Sequence, residues 1–212
     1  MAFFFIILIY TCVNLIYNIT MQARPFDRTF RLIHWSLAIL MFLLLVTIFL
    51  RLTWLEKYSV AAIIDAYAAD QQINISEDQA VTLAKKIRKP MWQWHIWLGY
   101  AITAVYVLRM LLPLFGRMRF ASPKQAGLDA KTRFQYWVYL VFYVLLGASL
   151  TTGLLIEFGP DAWHEAVEKA HVLSIYYFVT YMVLHLGGVF LAEFTHLPGL
   201  ISRVISGDKA DS

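Results

Sequence analysis

Four long apolar segments constrain the fold of this chain more than any other feature of its sequence. They cover about Leu32–Leu50, Met91–Phe115, Phe134–Ile156 and Val172–Phe194. A helix of about 20 apolar residues crosses the hydrocarbon core of a bilayer, where the backbone must satisfy its own hydrogen bonds. The chain is 60% hydrophobic and 15% charged, whereas soluble domains carry about 25% charged residues. The sequence therefore predicts an all-α membrane protein, a bundle of four transmembrane helices.

The predicted four-helix domain covers residues 21–209, with a long connection at 51–90 between its first and second helices. The segment Met1–Thr20 is also apolar enough to span a membrane. It has neither the basic start nor the small-residue cleavage site of a signal peptide. It is either a fifth helix or an upstream extension of the reading frame, in which case Met21 is the natural start.

The distribution of charge predicts the orientation. Lys and Arg are enriched in the cytoplasmic connections of membrane proteins, and here the basic residues gather before the first segment, between the second and third, and in the tail. They are Arg24, Arg28, Arg31, Arg117, Arg119, Lys124, Lys131, Arg133, Arg203 and Lys209. The connection between the third and fourth segments is acidic. Both ends of the four-helix unit are therefore expected in the cytoplasm, and this topology accounts for the net charge of +4 without a nucleic-acid partner.

The outer connection at 51–90 contains one helix signal. Ser76 followed by Gln79 is a capping box, which predicts a helix from there to about Ile87, ended by Pro90. We expect this helix to cover the outer mouth of the bundle, or alternatively to form a docking surface for an electron-transfer partner.

Four histidines lie within or beside the apolar segments, where ionisable side chains usually have a function. His34 is near the cytoplasmic start of the first helix, and His95 is near the outer start of the second. His171 opens the fourth helix on the outer side, and His185 lies 14 residues further on. In one ideal helix this spacing corresponds to about 21 Å along the axis and a rotation of about 40°, so both imidazoles would share a face.

Depth in the membrane pairs His95 with His171 and His34 with His185. Imidazole is an axial ligand of haem iron, so each pair predicts one bis-histidine haem. Zinc is disfavoured because such separated pairs cannot form one tetrahedral site, and a single cysteine, Cys12, excludes a CxxCH attachment. The alternative is that the histidines near helix ends are interfacial residues without a ligand role. His164 and His196 are predicted not to be ligands.

Several other residues suit a haem site. Arg109 lies toward the cytoplasmic end of the second helix and is expected to pair with a haem propionate, or alternatively to extend to the membrane interface. Small residues at Gly99, Gly187 and Gly188, and at Gly147, Ala148 and Gly153, would let a porphyrin approach the backbone, or let helices pack closely.

The order and spacing of the motifs resemble the bacterial cytochrome b561 and NiFe-hydrogenase-type cytochrome b superfamily. The resemblance runs from about Arg24 to Lys209 and rests on Arg31–Trp35, His95–Tyr100, Leu108–Leu112, His171, His185 and Leu200–Gly207. It implies a four-helix bundle with two non-covalent b haems, ligated from the first, second and fourth helices, in the bacterial inner membrane. The longer 51–90 connection and the N-terminal segment depart from compact members, which leaves the subfamily and the redox partner open.

Three functions fit these residues. The first is electron transfer between the haems and membrane quinone, alone or as the membrane subunit of a respiratory dehydrogenase or hydrogenase, with a periplasmic electron-transfer protein as another partner. The second is a stand-alone haem oxidoreductase, such as a superoxide:quinone or metal-ion reductase. The third is a cofactor-free transporter in which histidines relay protons. No catalytic residue is predicted, although Glu193 and the acidic outer loop are candidates for proton supply.

Overall fold

A computed structural model describes residues 26–195 and 197–207. The described residues contain helices and connections and no strand. The helices are α1 (Arg28–Leu52), α2 (Lys57–Asp70), α3 (Glu77–Leu111), α4 (Ala130–Phe158), α5 (His164–Val172), α6 (Ser174–Thr195) and α7 (Leu200–Ser206), with 3₁₀ turns at Leu112–Phe115 and Asp161–Trp163. The segment Met1–Thr20 and His196, for which the sequence made predictions, lie outside the described residues.

Four helical stretches are long and apolar enough to cross a membrane. They are Arg28–Leu52, Glu77–Phe115, Ala130–Phe158 and Asp161–Thr195. Large apolar side chains on them are exposed, among them Phe49 at 63% and Phe194 at 81%. Water would oppose this exposure and lipid would favour it, so the predicted all-α membrane protein with four spanning helices is confirmed.

The described residues form two compact units. One contains residues 34–105, which include most of α1, all of α2 and most of α3. The other contains residues 26–33 and 106–207, which include the start of α1, the end of α3 and helices α4 to α7.

In the unit of residues 34–105, the capping box is confirmed. The Ser76 amide donates to Gln79 Oε1 at 2.8 Å, and the Gln79 amide donates to Ser76 Oγ at 3.3 Å. The prediction that Pro90 ends this helix is wrong, because α3 continues through Pro90 without interruption. Pro90 is exposed, and a proline removes only one backbone hydrogen bond from the many in a 35-residue helix.

Helix α2 was not predicted. Its N-cap is Glu56, whose carboxylate accepts the amides of Tyr58 and Ser59 at 2.8 and 2.9 Å. These amides, that of Ser59 above all, lower the pKa of Glu56. The helix packs through Ala61 against Ala80 and Ala84 at the start of α3. Small alanines carry little of the apolar pattern by which a helix is found in a sequence, which explains the omission.

In the other unit, the helix predicted as Val172–Phe194 is preceded by a separate short helix. Helix α5 ends at Val172 and α6 begins at Ser174. Between them Leu173 has φ −63° and ψ −14°, and the Tyr176 amide donates to the Leu173 carbonyl at 3.2 Å. This i to i+3 bond is the 3₁₀ type, which tightens the turn. His171 and His185 therefore lie on successive helices, and the spacing calculated for one ideal helix does not apply.

Candidate functional site

His95 is held by a hydroxyl on a neighbouring helix. Its Nδ1 lies 2.8 Å from Thr47 Oγ1, in α1. Thr47 also donates to the Leu44 carbonyl at 2.6 Å. A hydroxyl has one proton, so with that proton on the Leu44 carbonyl the imidazole is the donor. His95 is then protonated at Nδ1 and carries its lone pair on Nε2.

An aromatic stack fixes the plane of the same ring. The Trp92 indole lies parallel to the His95 imidazole, with centroids 4.4 Å apart and an interplanar angle of 4°. The Arg51 guanidinium lies 4.0 Å from the Trp92 ring centroid. The imidazole and the guanidinium therefore both pack on this indole.

His34 lies in the same compact unit, near the start of α1. It is half-buried and meets the Trp35 ring edge-on, with centroids 5.5 Å apart. His171, His185 and Arg109 belong to the other unit. Each pair predicted from depth takes one histidine from each unit, and the pairing stays a prediction.

His171 is held by oxygen atoms of α4. Its Nδ1 lies 3.1 Å from the Ser149 carbonyl and 3.1 Å from Thr152 Oγ1. A carbonyl oxygen can only accept, so this imidazole is also protonated at Nδ1. The ring approaches α4 closely at Gly153, where a Cβ would lie 3.2 Å from His171 Cε1. The close approach predicted at Gly153 is therefore made by the His171 side chain.

A hydroxyl network lies beside His171. Ser149 Oγ lies 2.6 Å from Ser174 Oγ and accepts from the Tyr177 hydroxyl at 2.8 Å. It joins α4 to α6 next to the break at Leu173. These residues were not predicted from the sequence, although the run Ser149, Thr151 and Thr152 in an apolar helix is the signal that could have found them.

His185 is flanked by aromatic rings. The Tyr181 ring stacks on it with centroids 5.5 Å apart and an angle of 13°, and Tyr139 meets it at 6.3 Å and 66°. Tyr181 in turn stacks on Phe142 at 3.6 Å. The rings come from α4 and α6, so both helices fix the orientation of this imidazole.

Arg109 is buried, with 6% of its surface exposed. Its guanidinium lies 3.9 Å from the Phe120 ring centroid and 5.2 Å from that of Tyr143. Nε and Nη1 have no hydrogen-bond partner among the described residues. A buried cation with unsatisfied donors is costly unless an anion joins it, which suits the carboxylate of a propionate.

The other residues singled out in the sequence lie in different surroundings. A Cβ at Gly147 would lie 2.5 Å from the Tyr106 hydroxyl, so this glycine serves close packing, whereas a Cβ at Gly99, Gly187 or Gly188 would have no heavy atom within 4 Å.

His164 Nε2 lies 4.0 Å from the Glu168 carboxylate on the exposed face of α5. Glu193 accepts the amides of Gly199 and Ile201 at 2.8 Å and so caps α7.

These residues fit a b-type haem. His95 and His171 have their Nδ1 protons on oxygen atoms, the arrangement that orients a metal-binding imidazole and presents Nε2. Arg109 would supply a cation for a propionate, and a Cβ at Gly99 or Gly187 would have no heavy atom within 4 Å in the described part of the chain.

Comparison with known proteins agrees with this chemistry. The model of the family described as prokaryotic cytochrome b561 matches residues 25–207. No curated protein and no solved structure matches the chain. The matched range contains all four spanning helices, the four predicted ligands and Arg109. The chain thus belongs to the prokaryotic cytochrome b561 family of bacterial multi-pass membrane proteins, which bind b-type haem and transfer electrons.

Proposed function

We propose that this protein carries electrons across the bacterial inner membrane through two bis-histidine b haems. His95 and His171 would bind one haem, and His34 and His185 the other. The observation that carries the proposal is the shared state of His95 and His171, which lie in different units. Each gives its Nδ1 proton to an oxygen, at 2.8 Å in His95 and 3.1 Å in His171. Second-shell bonds of this kind fix the tautomer in which Nε2 can bind a metal.

Each part of the chain has a distinct task in this function. The haems supply reversible one-electron chemistry when bound. Ligation of each haem by two histidines would favour electron transfer over oxygen binding. Arg109 would neutralise a propionate through Nε and Nη1, the two donors that lack a partner among the described residues. The apolar helices exclude water, which tunes the potential of a buried haem.

We further propose that membrane quinone exchanges electrons with one haem. The exposed apolar helices border the lipid in which quinone is dissolved. A dehydrogenase or hydrogenase subunit, or a periplasmic electron-transfer protein, would be the other redox partner. With the basic connections inside, both ends of the four-helix unit would be cytoplasmic. The family assignment, to haem-binding electron-transfer proteins, argues against the cofactor-free transporter.

The first test is a reduced-minus-oxidised spectrum of the purified protein with a pyridine-haemochrome count. Two haem b per chain support the proposal, and one haem per chain contradicts the two-haem arrangement. A colourless protein that stays colourless after reconstitution with haem overturns the whole proposal.

The second test measures transfer across a membrane. The protein is placed in vesicles that contain ferricyanide, and a water-soluble quinol analogue is added outside. Ferricyanide reduction that needs the haem-loaded protein supports the relay with quinone. Haem reduction by the quinol without ferricyanide reduction would instead favour a stand-alone oxidoreductase that works at one face.

A further inference from the structure

Thr47 differs from most threonines in these helices. Thr103 Oγ1 donates to the Gly99 carbonyl at 2.7 Å, a common bond within a helix that uses the hydroxyl proton. Thr47 makes the same kind of bond to Leu44, and its oxygen also lies 2.8 Å from His95 Nδ1, a residue 48 positions away. It is buried, with 6% exposure. Its local bond leaves its oxygen as an acceptor aimed at His95.

Trp92 and Arg51 restrain the same imidazole in a second way. Thr47 fixes the direction of the Nδ1–H bond, and the parallel indole fixes the plane of the ring. Arg51 also packs on this indole, so a positive charge lies close to the stacked pair. The three side chains together leave the imidazole little freedom to rotate.

We propose that Thr47, Trp92 and Arg51 are positioning residues that set the orientation of His95 and the redox potential of the haem it binds. This inference rests on the proposed function. An acceptor on Nδ1–H makes an imidazole a stronger donor to the metal, so Thr47 favours oxidised iron. A nearby cation disfavours the more positive oxidised state, so Arg51 favours reduced iron. The two residues therefore shift the same potential in opposite directions.

The central experiment compares Thr47→Val with Thr47→Ser in the haem-loaded protein by potentiometric titration. Valine keeps the shape of threonine and removes the acceptor, so we expect the potential of one haem to rise. We expect the ratio of reduced to oxidised haem at a fixed potential to change about tenfold, which is about 59 mV for one electron. Serine keeps the hydroxyl and is expected to retain the wild-type potential.

Thr103→Val is the matched control. It makes the same change in a spanning helix and removes a bond to a backbone carbonyl alone. Both haem potentials should stay at their wild-type values. A potential that moves as far in Thr103→Val as in Thr47→Val would show a general effect on helix packing and overturn the inference.

Arg51→Gln tests the sign. Loss of the cation should lower the potential of the same haem that Thr47→Val raises. Trp92→Leu should also change the low-spin ferric EPR signal of that haem, since the signal depends on the orientation of the axial imidazole planes. Trp92→Phe keeps an aromatic ring and should keep most of the wild-type signal. Shifts of equal sign for Thr47→Val and Arg51→Gln would contradict the mechanism.

The haem count separates this inference from the proposed function. If the wild-type protein binds no haem, the proposed function fails. If Thr47→Val retains two haems with unchanged potentials and EPR signals, Thr47 has no positioning role, and the two-haem relay is unaffected. If Thr47→Val loses one haem, the positioning effect is read from the potential of Arg51→Gln and the EPR signal of Trp92→Leu, which keep the hydroxyl; wild-type values in both would overturn the inference.

Discussion

His171 and His185 are close in sequence, yet the protein holds them by different means. Oxygen atoms of Ser149 and Thr152 meet the Nδ1 of His171, whereas the rings of Tyr181 and Tyr139 flank His185. A hydrogen bond to oxygen raises the basicity of an imidazole and fixes its tautomer. Ring contacts restrict its plane and exclude water, with little effect on which nitrogen is protonated. The two histidines thus show two separate ways to tune a haem ligand.

His95 extends the comparison to the other unit of the protein. It has the oxygen contact of His171, through Thr47, and the stacked ring of His185, through Trp92. Under the proposed pairing, both oxygen-held ligands, His95 and His171, bind the same haem. Substitutions that remove hydroxyls should then act mainly on one haem, and substitutions at Tyr181 should act on the other.

The largest expected effect comes from removal of a ligand. His95→Ala and His171→Ala should each lose the same haem, and His34→Ala and His185→Ala should each lose the other, because one remaining histidine holds a haem weakly. The haem count should fall to about half of that of the wild type, and the remaining haem should titrate as a single component. Loss of the same haem from His95→Ala and His185→Ala would contradict the pairing.

Gly153→Ala should have the next largest effect. The new Cβ would lie 3.2 Å from His171 Cε1, so the imidazole ring must shift by a few tenths of an ångström. We expect weaker haem binding or a shifted potential at this haem alone. Alanine is a better helix former than glycine by about 1 kcal/mol, so a defect should not reflect a weaker helix. Gly188→Ala, with no heavy atom within 4 Å of its Cβ, is the control and should leave this haem unchanged.

Smaller shifts should separate hydroxyl effects from ring effects. Thr152→Val removes one oxygen from His171 and should raise the potential of the His171 haem by less than about 59 mV, the value for a tenfold change in the redox ratio. Tyr181→Leu removes the ring stacked on His185 and should shift the other haem, whereas Tyr181→Phe keeps the ring and should not. Potentiometric titration of each variant checks this. If Thr152→Val and Tyr181→Leu shifted the potential of the same haem, the two sites would not be independent.

The smallest effect is expected outside both sites, at the N-cap of α2. The pKa of Glu56 is lowered by the Ser59 and Tyr58 amides. Its cap should therefore stabilise α2 fully above the ordinary pKa of 4.5 and be lost as the pH falls through the lowered value. Glu56→Ala should give faster amide hydrogen exchange in α2 at neutral pH, with both haem potentials unchanged. A change in either haem potential would show that the 51–90 connection is coupled to the haem sites.

The sequence predicted the elements that depend on local chemistry. The four spanning helices follow from apolar length alone, and the capping box at Ser76 follows from residues three apart. Helix α2, with its alanine-rich contact face, and the continuation of α3 through Pro90 were not predicted. The break at Leu173 was also missed, because the Val172–Phe194 segment is predominantly apolar and no proline marks the turn.

The sequence by itself determined that this chain is an all-α membrane protein with histidines at the ends and within its spanning helices. Only the tertiary structure decided what holds them: Thr47 is 48 residues from His95, and Ser149 is 22 residues from His171. The physical reason is that apolar residues lie on every side of a spanning helix, so the sequence pattern does not specify which face meets a neighbour. The rotation of each helix, set by packing, selects the side chains that meet each imidazole.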